Sequence, residues 1–207
     1  MFSTIKNAFK IPDLRKRIFF TLLMLVVFRF GAHVPVPGLS PDAMKAFLGD
    51  GLDLFSMFNV FTGGAFSNAT VMAMGVSPYI NASIIVQLLT VAIPALERLA
   101  KEGAEGRKKI NKITRYLGLI LAFVQGSGLY VTLHNMGVEN QGLNPIQNEG
   151  VLSFFLIVLT FTAGTAFIIW LGELITERGL GNGVSMIIYA GIVSSIPSGI
   201  YSIYKQF

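Results

Sequence analysis

Cysteine is missing from all 207 residues, which removes structural disulfides and thiolate metal sites from this chain. Charge is scarce as well. Asp, Glu, Lys and Arg make up 13% of the residues, against about 25% in soluble domains. The scarcity is uneven: no charged residue occurs from Leu54 to Leu96, nor from Gly150 to Gly172. A membrane span needs roughly 20 apolar residues to cross about 30 Å of hydrocarbon, and both runs exceed that. Catalytic patterns are lacking too. The two histidines, His33 and His134, fall at ends of different predicted helices, with no nearby carboxylate and no His-Glu-x-x-His pattern. Gly179-Leu-Gly-Asn-Gly183 is glycine-rich, but no Lys-Ser or Lys-Thr follows it, so it reads as a turn and not as a phosphate loop. These absences argue against an enzyme and imply neither metal nor cofactor.

What is abundant is apolar: 53% of the residues, gathered into runs of span length. The first, about 18–34, contains Ile18-Phe-Phe-Thr-Leu-Leu-Met-Leu-Val-Val-Phe28 and ends at Val34-Pro-Val-Pro-Gly38, where two prolines stop a helix. Arg29 lies within it. Such a residue costs roughly 2.5–3.5 kcal/mol at mid-span on insertion scales, so it either snorkels to the interface or faces a polar partner or an aqueous cavity. Ahead of this run, residues 1–17 carry Lys6, Lys10, Arg15, Lys16 and Arg17. They read as a cytoplasmic amphipathic segment with no cleavable signal pattern. Ser40-Pro-Asp42 has the form of a helix start, with Ser40 as cap and proline in the first turn.

The uncharged run 54–96 is too long for one span, and charge decides how it is used. Segment 97–115 holds Arg98, Lys101, Arg107, Lys108, Lys109, Lys112 and Arg115. Short Lys/Arg-rich segments stay cytoplasmic. This segment and residues 1–17 therefore both belong inside, separated by an even number of crossings. The first run is one crossing, which leaves one for 54–96. Its second half, about 76–96, supplies that crossing with Ile80, Ile84, Ile85, Val86, Leu88 and Leu89. Its first half is diluted by Ser56, Asn59, Thr62, Gly63, Gly64, Ser67, Asn68 and Thr70, and is expected to enter and leave from the same side. Backbone of that kind at membrane depth is tolerated only against protein or a water-filled cavity. The sequence thus implies a cavity.

Three further spans follow, about 113–133, 151–175 and 184–204. Gly118, Gly126 and Gly128 allow close helix approach along the first of these, and Gln125 is a polar residue in its middle. The segment 134–150 has no Lys or Arg, as an outside loop should. Pro197 and Gly199 are placed to kink the last span. Five crossings put the N-terminus inside and the other end outside. An odd count is also what one half of an inverted repeat requires. Glu173 and Glu177, at i,i+4 spacing, read as headgroup-level residues. The net charge of +5 is explained first by topology. The 97–115 cluster also suits a docking partner: RNA phosphates, an acidic protein surface or anionic lipid.

Four strings carry a resemblance: Phe28-Arg-Phe-Gly-Ala-His-Val-Pro-Val-Pro-Gly38, Gly75-Val-Ser-Pro-Tyr-Ile-Asn-Ala-Ser-Ile-Ile-Val-Gln-Leu-Leu89, Glu102-Gly-Ala-Glu-Gly-Arg-Lys-Lys-Ile-Asn-Lys-Ile-Thr-Arg-Tyr116 and Trp170-Leu-Gly-Glu-Leu-Ile-Thr-Glu-Arg-Gly-Leu-Gly-Asn-Gly183. In order and position they resemble the SecY family, the channel subunit of the bacterial protein-translocation complex, over its first half. The resemblance implies an all-α, polytopic transmembrane bundle: five spans plus one half-inserted plug helix, forming one half of an inverted-repeat channel with an hourglass pore. It assigns about 55–74 as the plug, with Phe58, Phe61, Gly63, Gly64, Phe66 and Asn68 at its matching positions. It assigns Ile80, Ile84, Ile188 and Ile192 to an apolar pore ring, each pair four apart on one helix face. Packing or lipid-facing isoleucines would show the same spacing.

The resemblance further implies a lateral gate that includes Ile85 and Gln125, and docking of cytoplasmic partners at Arg107, Lys108, Lys109, Lys112 and Arg115. Gln125 is equally compatible with an interhelical hydrogen bond. The implied partners are SecE-like and SecG-like small membrane subunits, a SecA-like motor ATPase, the ribosome with its nascent chain, signal sequences, membrane lipids and the C-terminal half of the channel. The implied function is passive conduction of secretory polypeptides across, and insertion of membrane proteins into, the bacterial inner membrane. Two other classes compete. Half of an inverted-repeat solute transporter would need ionisable residues at mid-membrane, of which only Arg29 is present. An intramembrane enzyme would need a nucleophile–base or metal constellation, and none is visible.

Overall fold

A backbone placed in hydrocarbon must satisfy its own hydrogen bonds, and helix is the local way to do it. The computed structural model describes residues 11–49, 53–139, 144–147 and 150–206. Among them are eight helices: α1 Pro12–Gly31, α2 Pro41–Gly49, α3 Asp53–Phe61, α4 Ser77–Ala92, α5 Pro94–Lys101, α6 Ala104–Glu139, α7 Val151–Arg178 and α8 Gly183–Gln206. Extended pairing among the described residues is confined to two isolated antiparallel bridges, Pro35 with Thr70 and Leu39 with Ile146. Most of the predicted segment 1–17 lies outside the described residues, as does part of 134–150.

The helix starts follow local chemistry. Proline occupies the first turn of α1, α4 and α5, where a missing N–H costs nothing. Ser40 caps α2, its Oγ accepting from the Ala43 amide at 3.4 Å. Asn182 caps α8, its Oδ1 accepting from the amides of Val184 at 3.0 Å and Ser185 at 3.3 Å. The turn before it uses Gly181 at φ +64°, a conformation that favours glycine. This turn is tied to α1 through Thr21, whose Oγ accepts from the Leu180 amide at 3.1 Å and donates to the Arg17 carbonyl at 2.8 Å.

By length and apolarity α6 and α7 are each able to cross a bilayer, and α4 with α5 make a third crossing if the bent pair is one broken span. The apolar stretch expected to run to Leu96 divides at Ile93, and α5 leaves α4 at 101°. Pro94 is the cause. It disfavours helical backbone in the residue before it, and Ile93 is extended, at φ −108° and ψ 114°. The 97–115 segment is not a loop: it is the end of α5, a turn at Gly103, and the first turns of α6. Arg98 and Lys101 therefore stand on α5, and the other five basic residues on α6, a helix long and apolar enough to span. The last helix runs through Pro197 to Gln206 without interruption.

The core has two clusters. One gathers Val36, Leu39 and Met44 with Tyr130 and Leu133 of α6 and Ile157, Val158 and Phe161 of α7. The other gathers Phe28 of α1, Ile168, Leu171 and Ile175 of α7 and Ile187 of α8. Residues 62–76 enter both, through Phe66, Ala69, Ala73 and Met74 in the first and Ala65, Met72 and Val76 in the second. The segment without regular structure is thus the pillar of the bundle.

Close approach to this pillar depends on particular glycines. A Cβ on Gly164 of α7 would lie 1.9 Å from the Val71 carbonyl oxygen, whereas one on Gly118 of α6 would meet only ordinary contacts, the nearest at 3.5 Å. Gly164→Ala is therefore expected to destabilise the bundle by roughly 1–3 kcal/mol, the usual cost of overpacking, and Gly118→Ala to be tolerated. Thermal unfolding of the detergent-solubilised assembly checks both.

Candidate functional site

The irregular segment 62–76, with the end of α3 before it, is built to be self-sufficient. After α3 ends, Gly63 at φ +65° and Gly64 at φ +84° reverse the chain. The polar residues that diluted its hydropathy then satisfy its backbone. Thr62 Oγ1 accepts from the Phe66 amide at 3.3 Å, and Asn59 Oδ1 from the Ser67 amide at 2.9 Å. Ser67 and Asn68 both donate to the Gly64 carbonyl, at 3.0 and 2.9 Å. Thr70 donates to the Ala65 carbonyl at 3.0 Å. The extended tail of α1 completes the set: the Val36 amide donates to the Ala69 carbonyl at 2.8 Å, and the Val71 amide to the Val34 carbonyl at 2.9 Å.

The expected plug residues separate into two groups. Phe61 on α3 is half exposed, and Phe58 packs edge-on against Phe66 at 5.8 Å. Beyond Gly63 and Gly64 the chain is core: Phe66 is 1% exposed and Ala69 is fully buried. Asn68 is half-buried and held to the Gly64 carbonyl. Arg29 joins this segment to its surroundings. Its Nη1 donates to the Gly63 carbonyl at 2.6 Å and to Ser194 Oγ of α8 at 3.2 Å. Of the two readings open for this arginine, the structure selects the polar partner.

An open cleft of about 760 Å³ lies between α4, α6, α7 and α8. Ile80 and Ile84 of α4 and Ile188 of α8 line it, so three of the four expected ring residues come together. Ile192, one turn further along α8, is half-buried and outside this lining. The cleft's rim is charged, with Lys108, Lys112 and Arg115 on α6 and Glu173 and Glu177 on α7. Arg115 Nη1 meets Glu173 Oε2 at 3.0 Å across the two helices, so Glu173 has an ion-pair partner on α6. Lys108 pairs with Glu105 at 3.3 Å and Lys109 with Glu102 at 3.4 Å, both in the open. Arg107 and Lys112 are exposed.

Ile85 is exposed on α4 and Gln125 half-buried on α6. The interhelical hydrogen bond that Gln125 could have made is not formed among the described residues. Nor does any group of three His, Cys, Asp or Glu side chains come close enough to hold a metal among them. Sequence reasoning missed the Pro94 break, although a proline inside an apolar run was a readable signal. It also missed the landing site of Arg29 on α8, for which no local signal exists.

Helices able to cross a bilayer, packed around an irregular buried segment, define a multi-pass membrane protein of the protein-conducting-channel fold. Solved structures agree. "Sec61 in the Canine ribosome-channel complex from the endoplasmic reticulum" superposes with a TM-score of 0.61 at 20% identity, over 88% of this chain and 37% of that one. "The structure of a protein conducting channel" superposes with a TM-score of 0.60 at 19% identity, over 88% of this chain and 37% of that one. The SecY family model matches residues 70–207. Curated relatives named protein translocase subunit SecY include that of Aquifex aeolicus, 45% identical over 98% of this chain and 47% of its own length, and that of Bacillus subtilis, 45% identical over 99% and 46%. The chain belongs to the SecY family, and it spans about half the length of the curated relatives it matches. The solute-transporter alternative finds no support among these relatives.

The ion pair across the cleft rim gives a test of how α6 and α7 are clamped. Arg115→Glu sets two carboxylates against each other and is expected to cost about 1 kcal/mol, the upper range for part-exposed pairs. Combining it with Glu173→Arg should recover most of the loss. Thermal melts of the single and double variants decide this.

Proposed function

We propose that this chain forms the N-terminal half of the pore of a protein-conducting channel, which moves secretory polypeptides across the bacterial inner membrane and inserts membrane proteins into it. The observation that carries the reading is a cleft lined in part by Ile80, Ile84 and Ile188, the last of which packs on the core cluster that holds Met72 and Val76 of the irregular segment. An apolar constriction can exclude water and ions by dewetting and still yield to a polypeptide, because it holds no site that binds the traffic. The family membership supports the same assignment.

In this reading five spans cross the membrane with the N-terminus in the cytoplasm, and the cleft opens on the cytoplasmic side. The moving part of the plug is α3, with Phe58 and Phe61, while Phe66 and Asn68 belong to its fixed base. Ile85 and Gln125 lie along one wall of a lateral gate for signal sequences and lipids. Energy comes from partners, a SecA-like ATPase or the ribosome, and not from this chain. SecE-like and SecG-like subunits and the C-terminal half of the channel complete the assembly. The canine structure, titled as a ribosome–channel complex, supports a ribosome as one partner. Arg107, Lys108, Lys109 and Lys112, exposed on a rigid helix end, suit its phosphates. Arg115, engaged with Glu173, contributes less.

A photo-crosslinker at Ile84 or Ile192 in the assembled channel is expected to form adducts with a polypeptide arrested in transit. An active assembly without adducts at either position would remove the ring assignment. Replacing Arg107, Lys108, Lys109 and Lys112 together by alanine should weaken ribosome binding to channel-bearing vesicles. The effect should shrink as salt rises, since exposed charges are screened beyond about 8–10 Å at physiological ionic strength.

A further inference from the structure

In the five-span reading Arg29 lies where a charge is costly. Its partner Ser194 sits about 17 Å along α8 from Gly183 at 1.5 Å per residue, which with Gly183 at the interface is near the middle of hydrocarbon about 30 Å thick. A guanidinium at that depth needs fixed acceptors. The acceptors it finds are informative. The Gly63 carbonyl, at 2.6 Å, is the hinge between α3 and the buried base of the irregular segment. Ser194 Oγ, at 3.2 Å, belongs to a different helix and in turn donates to the Gly191 carbonyl at 2.7 Å.

The surface of α8 around this contact is shaped for the end of α3. Gly191, Ser194 and Ser195 fall at i, i+3 and i+4 and share one helix face. A Cβ on Gly191 would come within 2.5 Å of the Phe61 carbonyl oxygen. Ser195 Oγ reaches the Val60 carbonyl at 3.4 Å. A Cβ on Gly63 would strike Ser194 Oγ at 2.7 Å and Arg29 Nη1 at 3.1 Å. The C-terminal carbonyls of α3 therefore meet a notch of small and hydroxylated residues, with a cation beside them. A helix C-terminus carries partial negative charge, and a cation there is favourable.

We propose that Arg29 is the latch that holds α3 closed against α8, acting as a positioning residue for the plug. This rests on the reading of α3 as the moving part of that plug. Lifting α3 must break the bond from Arg29 to the Gly63 carbonyl. The hydrogen bond is charge-assisted and sits at the hinge, so a small displacement there releases the whole of α3. The core below Gly64 stays in place.

The absence of native cysteine makes thiol labelling a clean readout in this chain. In vesicles bearing the complete assembled channel, Phe58→Cys reports on the half-buried face of α3. Ala122→Cys, fully buried on α6, reports on the rest of the bundle. Arg29→Gln is expected to raise the labelling rate at Phe58→Cys by about tenfold, as loss of a charged hydrogen bond would. Arg29→Lys, which keeps the charge, should fall between parent and Gln variant, and the rate at Ala122→Cys should not change. An unchanged rate at Phe58→Cys in Arg29→Gln, or Lys and Gln variants that rise equally, would overturn the latch. If both reporters accelerate in Arg29→Gln, the bundle itself has loosened, and Ser194→Ala decides. A selective rise at Phe58→Cys supports the latch, and no rise overturns it. Translocation by the parent assembly is measured in the same vesicles. Its absence would defeat the channel reading, whereas unchanged labelling with translocation intact defeats only the latch.

Discussion

Every backbone amide and carbonyl at membrane depth must find a partner, because hydrocarbon offers none. Helices meet this demand internally. Residues 62–76 do not form a regular helix, and the rest of the structure is arranged around that fact. Thr62, Asn59, Ser67, Asn68 and Thr70 supply hydrogen bonds from within. The extended tail of α1 supplies two more. Glycines on α7 and α8 allow helices to come up against exposed carbonyls at Val71 and Phe61. The irregular segment is thereby both the least helical and the most enclosed part of the chain.

This arrangement divides the segment by function. Its base is locked by two hydrophobic clusters and by its own polar side chains. Its first helix, α3, is held by fewer contacts and ends at two glycines with positive φ. In the reading proposed above, the part that moves needs a low local stability and its support the opposite, and Gly63 and Gly64 stand between the two. The break at Ile93–Pro94 does comparable work at the other end of α4. It turns α5 away, and it leaves α6 to carry the other five basic residues.

Much of this was legible in the chain itself. The polar residues between Ser56 and Thr70 announced a segment unlike its neighbours, and beyond Phe61 that segment is not a regular helix. The ring isoleucines at Ile80 and Ile84 followed from spacing and resemblance, and they do line the cleft with Ile188. Less was legible about which expected plug residues could move. Phe58 and Phe66 have the same side chain, but one lies on an exposed helix and the other is 1% exposed. Nothing local distinguishes them. Nothing local announced the ion pair of Glu173 either, because its partner Arg115 is 58 positions away.

The sequence by itself determined that the bilayer is the solvent, that one apolar run holds a segment unlike a simple span, and that the backbone of that segment required a protein environment. These follow from local composition and charge, which act over a few residues or by simple counting across the membrane. Tertiary structure alone decided what Arg29 does. A guanidinium in a span has several ways to lower its energy, and only the position of Gly63 and of Ser194, 165 residues away, selects among them. Long-range contacts of this kind are set by how helices pack, and packing depends on the whole set of small residues that lets them approach.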